Sequence, residues 1–83
     1  MNAGDRYRVA FCQDGQRTVG SVVMSDEEAH DAIFVEAMLH NAYGWDVIVY
    51  EPDRLLVQKQ REDRLIKREV VIERYTPEGD TLL

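Results

Sequence analysis

Residues 24–45, MSDEEAHDAIFVEAMLHNAYGW, constrain the fold more than any other stretch, because they alone carry a helix start, a helix body and a helix stop. Ser25 with Glu28 three residues on is a capping box: the serine oxygen takes the amide of the third helical residue and the glutamate returns to the cap amide. Asp26, Glu27 and Glu28 place negative charge on the positive end of the helix dipole. At the far end Gly44 can adopt the left-handed conformation that closes a helix, which sets Trp45 to fold back on the last turn. At about 100° per residue, Ala32, Val35, Leu39, Ala42 and Tyr43 fall on one stripe with Met38 at its edge, and that stripe is expected to lie on a sheet. Ile33 and Phe34 fall outside it, on the side of Glu27, His30, His40 and Asn41, and are the candidate protein-binding residues.

The sheet is legible on both sides of the helix. Residues 7–24 form two β-branched and aromatic runs around Asp14-Gly15, a dipeptide that favours a type I′ hairpin. With those two residues in the turn, Phe11 faces Thr18, Val9 faces Gly20 and Tyr7 faces Val22. One hairpin face then carries Tyr7, Val9, Phe11, Val22 and Met24 as the core side. The other carries Arg8, Ala10, Cys12, Arg17, Val19, Ser21 and Val23, too mixed for a purely solvated face and therefore expected to be partly covered. After Gly44, residues 46–50 and 54–59 read as strands separated by Glu51-Pro52-Asp53, a turn in which proline fixes the backbone. Residues 65–75 give a longer strand with Ile66, Val70 and Ile72 on one face and Lys67, Glu69 and Glu73 on the other. Arg68 interrupts the apolar face and is expected to mark where the strand leaves the core.

The order is therefore β-β-α-β-β-β: an α+β chain with a single helix packed on one face of a mainly antiparallel sheet. It resembles a β-grasp arrangement with an additional C-terminal strand, a resemblance of topology alone that carries no function. Eighty-three residues make one domain, 1–83, with residues 1–5 and 76–83 expected as flexible tails. A chain this small gains little net stability from its core, so a staple or a second copy of itself is expected. Cys12, the single cysteine, makes no internal disulfide, and no Cys/His cluster has the spacing of a structural zinc, which leaves self-association and a reducing, cytoplasmic setting. No run approaches the ~18 apolar residues of a membrane span, and the start, MNAGDRYRV, has neither the basic nor the apolar part of a signal peptide, so no membrane partner is expected.

The residues that carry chemistry are few. Glu36 and His40, four apart, share a helix side and are a candidate acid/base or ligand pair, but a metal needs a third ligand that no motif supplies, and an ordinary ion pair is the simpler reading. Cys12 lies opposite Arg17, whose guanidinium favours a thiolate, yet nucleophilic catalysis also needs a base and an oxyanion site, so it reads as a small half-buried residue. The five glycines are scattered as turn, cap and strand punctuation rather than gathered in a phosphate loop. No catalytic, cofactor or metal residue is assigned, and no enzyme activity is expected.

Charge is uneven. Ten basic residues against sixteen acidic give a net charge of −6, which opposes nonspecific attraction to nucleic acid. Residues 54–74, however, hold seven basic and four acidic residues, a local balance of +3 against −9 for the rest. Arg54, Lys59, Arg61, Arg64, Lys67 and Arg68 are the candidate nucleic-acid contacts of that ribbon, with Tyr50 or Tyr75 for stacking; the interleaved acids equally suit cross-strand ion pairs on a solvated sheet. Three functions follow. The first is a small interaction module, acting as adaptor, inhibitor or regulatory subunit and self-associating as a homodimer. The second is a nucleic-acid-binding protein that uses the ribbon, and the third an accessory subunit of an enzyme whose active site is on another chain.

Overall fold

In the computed structural model, which describes residues 5–75, the elements are β1 (Tyr7–Gln13), β2 (Gln16–Val19), α1 (Asp26–Ala42), β3 (Asp46–Glu51), β4 (Arg54–Arg61) and β5 (Arg64–Arg74). The expected tails, 1–4 and 76–83, lie outside the described residues. Asp5, expected with the first tail, accepts a hydrogen bond from Arg74 at 3.1 Å. Three two-residue turns, Asp14-Gly15, Pro52-Asp53 and Glu62-Asp63, make the strands on either side of each antiparallel neighbours. Asp14 and Gly15 both have positive φ, 53° and 78°, as a type I′ turn requires. One non-local pairing, β1 with β5 from Tyr7–Arg74 to Gln13–Arg68, joins the two halves into a five-stranded antiparallel sheet of order β2-β1-β5-β4-β3. The α+β class and the order β-β-α-β-β-β are thus as expected; the β-grasp resemblance rests on that order alone.

Both ends of α1 follow the sequence. Ser25 Oγ accepts from the Glu28 amide at 3.2 Å, and Glu28 Oε1 accepts from the Ser25 amide at 2.8 Å. Gly44 has φ 92°, its amide donates to the Asn41 carbonyl and the Trp45 amide to the His40 carbonyl, the paired bonds of a Schellman closure. Lys59 Nζ on β4 adds a bond to the Tyr43 carbonyl at 2.7 Å, placing a cation at the negative end of the helix. The Ser25 amide bond, with help from the Ser25 hydroxyl and the Arg6 charge, holds the Glu28 carboxyl below the ordinary glutamate range, against a smaller opposing effect of burial. A depressed folded-state pKa means that this contribution is present above the ordinary value of 4.5 and is lost as pH falls through the lowered one. Acid titrations of stability should therefore lose that component in Glu28→Gln, and Ser25→Ala should lower the unfolding free energy by about 1 kcal/mol in a urea melt at neutral pH.

Three expectations about faces are corrected. The hairpin register holds from Gln13–Gln16 to Ala10–Val19, and Gly20 still donates to the Val9 carbonyl at 2.7 Å. Then the chain loops out, and Tyr7 pairs with Met24 through bonds of 2.9 and 2.8 Å rather than with Val22. Val22, expected in the core, is 70% exposed. The cause is local. The chain must leave the sheet here to reach the Ser25 cap, and it does so just after Gly20, where any Cβ would stand 3.2 Å from the Val9 carbonyl.

The helix is turned by about 100°, one residue's rotation, from its expected orientation. Its sheet-facing side is Ala29, Ala32, Ile33 and His40, with Ala37 packed at the edge, while Val35, Leu39, Ala42 and Tyr43 of the expected stripe are exposed. Ile33, assigned to the surface from the sequence, is instead 1% exposed and sits with Trp45, Leu55, Val57 and Val70 at the centre of the core. Ala29, Ala32 and Ala37 are the small residues of this side, and Ile33 is the one large apolar helix side chain that fills the layer between helix and sheet. Tyr7, Met24, Ala29 and Ala32 form a second cluster beside it, linked through Val9 and Ile72.

The opposite face of the hairpin, expected to be partly covered, is mostly exposed: Cys12, Arg17, Val19, Ser21 and Val23 are open, Arg8 is half-buried and Ala10 alone is buried. Arg17 bonds Glu73 across the row occupied by Ala10, which is 2% exposed. Arg54 Nε donates to Glu69 at 2.5 Å, with Glu51 at 3.6 Å; the Glu69 bond holds the guanidinium above its ordinary pKa. Both sheet edges are blunted: β2 is four exposed residues long, and the β3–β4 register shifts between Val47 and Val49.

Candidate functional site

Turning Ile33 inward leaves the larger apolar residues of α1 outside, on two flanks. Toward β3, Phe34 and Met38 are each 51% exposed and form a shallow depression with Ala37, Asn41, Val47 and Tyr50, about 280 Å³ in volume. Tyr50 is 56% exposed and Val47, on the same depression, 39% exposed. Helix and edge strand thus expose one continuous apolar surface, which a chain with blunted sheet edges presents as a face rather than as a strand.

Toward the hairpin, a groove runs between α1 and β1–β2 because the helix covers β3, β4 and β5 more fully than β1. Phe11 is its floor: three openings of about 550, 400 and 360 Å³ all border Phe11. Its middle is apolar, with Val9, Met24, Ala32 and Val35, and the end toward the Asp14 turn is polar.

At the floor of the polar end lies a half-buried network. Arg68 Nε donates to Gln13 Oε1 at 2.8 Å, and another guanidinium nitrogen donates to His40 Nε2 at 3.0 Å. Because arginine only donates, Nε2 is the acceptor, and the ring proton sits on Nδ1, which donates to the Glu36 carbonyl at 2.8 Å. Trp45 packs its edge against His40, ring centroids 5.6 Å apart, and lies under the Arg68 guanidinium at 4.4 Å. Both nitrogens of His40 are committed, so the Glu36–His40 pair, whose carboxylate is 3.6 Å from Nδ1, is a packing contact rather than an open acid/base site.

The six ribbon cations do not share one surface. Arg54 and Lys67 lie on the outer face; Lys59 caps α1, Arg64 is 3.6 Å from Asp14, and Arg61 is exposed at the β4–β5 turn. Arg68, expected where the strand leaves the core, stays within it: β5 runs unbroken from Arg64 to Arg74, and alternation places Arg68 in the row of Val57 and Gln13, on the helix side. Cys12 is exposed rather than half-buried, and Arg17, opposite it in the register, is held by Glu73. The groove and its network were not read from the sequence. The one signal was an arginine in the middle of an apolar alternation, on the same strand face as Ile66 and Val70.

Among the described residues no helix is long and apolar enough to cross a membrane. Comparison with protein-family models, with curated proteins and with solved structures finds no match to this chain.

Proposed function

We propose that this chain is a non-enzymatic protein–protein interaction module that associates with a second copy of itself through the α1–β3 flank, in the manner of an adaptor, inhibitor or regulatory subunit. The observation that carries the reading is the shared exposed depression of Phe34, Met38, Val47 and Tyr50. Scattered single apolar residues on a surface need no explanation, but a continuous face of this kind does. Aromatic side chains present on the order of 150–250 Å² each, so half-exposed Phe34 and Tyr50 with their neighbours offer a few hundred Å², an apolar centre for the ~800 Å² per partner of a specific interface. The small core supports the same reading, since a second copy supplies burial that the chain alone lacks.

Light scattering on a size-exclusion column at micromolar concentration is the test. Wild-type protein should elute with twice the monomer mass, and Phe34→Asp with the monomer mass. Phe34 is outside the core, so the thermal midpoint of the monomeric variant should fall only by what dimer linkage contributes. A wild-type monomer at every concentration would remove the self-association reading.

A further inference from the structure

Among the described residues, Arg68 is a half-buried cation without a counter-ion. Its two hydrogen-bond partners, Gln13 Oε1 and His40 Nε2, are neutral acceptors, and no carboxylate lies within 4.0 Å of it among the described residues. Burial of a cation in that condition is costly, and the surrounding contacts hold it rigidly in place without neutralising it. Of the five guanidinium N–H groups two are used, and the side chain borders both the 550 Å³ and the 360 Å³ openings of the Phe11 groove. At the two openings that Arg68 borders, the acids are Asp14, 3.6 Å from Arg64, and Glu36, whose carboxylate lies 3.6 Å from His40 Nδ1. On the far side of Phe11 the 400 Å³ opening has an apolar wall of Val9, Met24, Ala32 and Val35 and is also bordered by Glu28, Asp31 and Glu36, which disfavour a second acidic group there and leave Arg68 as the place for the carboxylate.

We propose that this groove takes a peptide segment of a partner protein in which a carboxylate side chain stands next to a bulky apolar one. The carboxylate supplies the missing counter-charge at Arg68, and the apolar side chain runs along Phe11 into the space before Val35. A guanidinium already fixed by Gln13, His40 and Trp45 loses little freedom on binding, and a planar fork offered to a carboxylate is the stronger kind of hydrogen bond. The groove lies on the opposite flank of α1 from Phe34 and stands whether or not the chain dimerises.

The test is selection of displayed random dodecapeptides on the wild-type protein. Enriched sequences should carry Asp or Glu within three residues of Leu, Ile, Met or Phe. A synthetic representative, titrated by the fluorescence of Trp45, the single tryptophan, should bind at least about tenfold tighter than its Asn or Gln counterpart. Arg68→Gln should abolish that discrimination. Leu39→Glu, at an exposed position on the groove wall, should abolish binding with an unchanged thermal melt, and decides the matter if Arg68→Gln does not fold. Phe34→Asp should bind as wild type. No enrichment, enrichment without an acidic residue, equal binding of acid and amide peptides, or undiminished binding to Leu39→Glu overturns the proposal.

Discussion

Replacing Ile33 with alanine should lower the unfolding free energy by about 3 kcal/mol, while the same change at Phe34 should cost less than about 1 kcal/mol in the monomer. The two residues are adjacent and of similar hydrophobicity, so the contrast isolates position. Ile33 is 1% exposed and is the one large helix residue in contact with Leu55, Val57 and Val70, each 0% exposed. Three methylene-sized groups removed there leave a cavity between two rigid layers, and strand backbones tied into ladders cannot collapse to fill it. Small domains hold roughly 0.05–0.15 kcal/mol per residue, so a loss of this size consumes a large share of the stability of this chain. A urea melt of each variant, made at a concentration where both are monomeric, checks it. Equal effects at the two positions would mean that the helix packs in the orientation its hydrophobic stripe suggests.

The second large effect is expected at Arg68. Arg68→Ala should cost about 2–3 kcal/mol, because it strips His40 Nε2 and Gln13 of their donor inside the fold and removes the cation from the face of Trp45. His40→Ala should cost less than that, since the guanidinium left behind still reaches Gln13 and the groove. The two changes should not add: in the double variant the orphaned acceptor no longer exists, and a coupling of about 1–2 kcal/mol is expected from a double-mutant cycle. Additivity within about 0.3 kcal/mol would show that the contact between the two side chains has no energetic content.

These two cases show where the sequence could be read and where it could not. Ser25, Glu28 and Gly44 act within four or five residues of their own backbone, so their bonds in the structure are those that spacing alone predicts. The Asp14-Gly15 turn is local in the same sense, and it fixed the hairpin register as far as Val19. Beyond that point the register depended on how the chain reaches the helix, a distance no spacing encodes, and Val22 came out on the wrong side. The rotation of α1 was misread for a related reason. The helix carries apolar residues around most of its circumference, and a stripe scored by hydrophobicity selects the largest of them. The sheet instead takes Ile33 over Leu55, Val57 and Val70, with the small Ala29 and Ala32 beside Tyr7 and Met24.

Arg68 makes the same point from the polar side. In sequence it breaks an apolar alternation, and an exit from the core was the simplest account. What keeps it inside is a set of partners drawn from three other elements: Gln13 at the end of β1, His40 in α1 and Trp45 just after the helix cap. Those positions converge only once β1 pairs with β5.

The sequence by itself determined the α+β class, the element order, both helix ends and the hairpin turns, because each is set by residues within a few positions of one another. Tertiary structure alone decided which side of α1 faces the sheet, that β1 closes against β5, and that Arg68 meets His40 and Trp45 at the floor of a groove. Each of those depends on packing between segments distant in sequence, from 22 residues for Ile33 and Leu55 to 67 for Tyr7 and Arg74, where side-chain volume and the need to pair buried polar groups outweigh local preference.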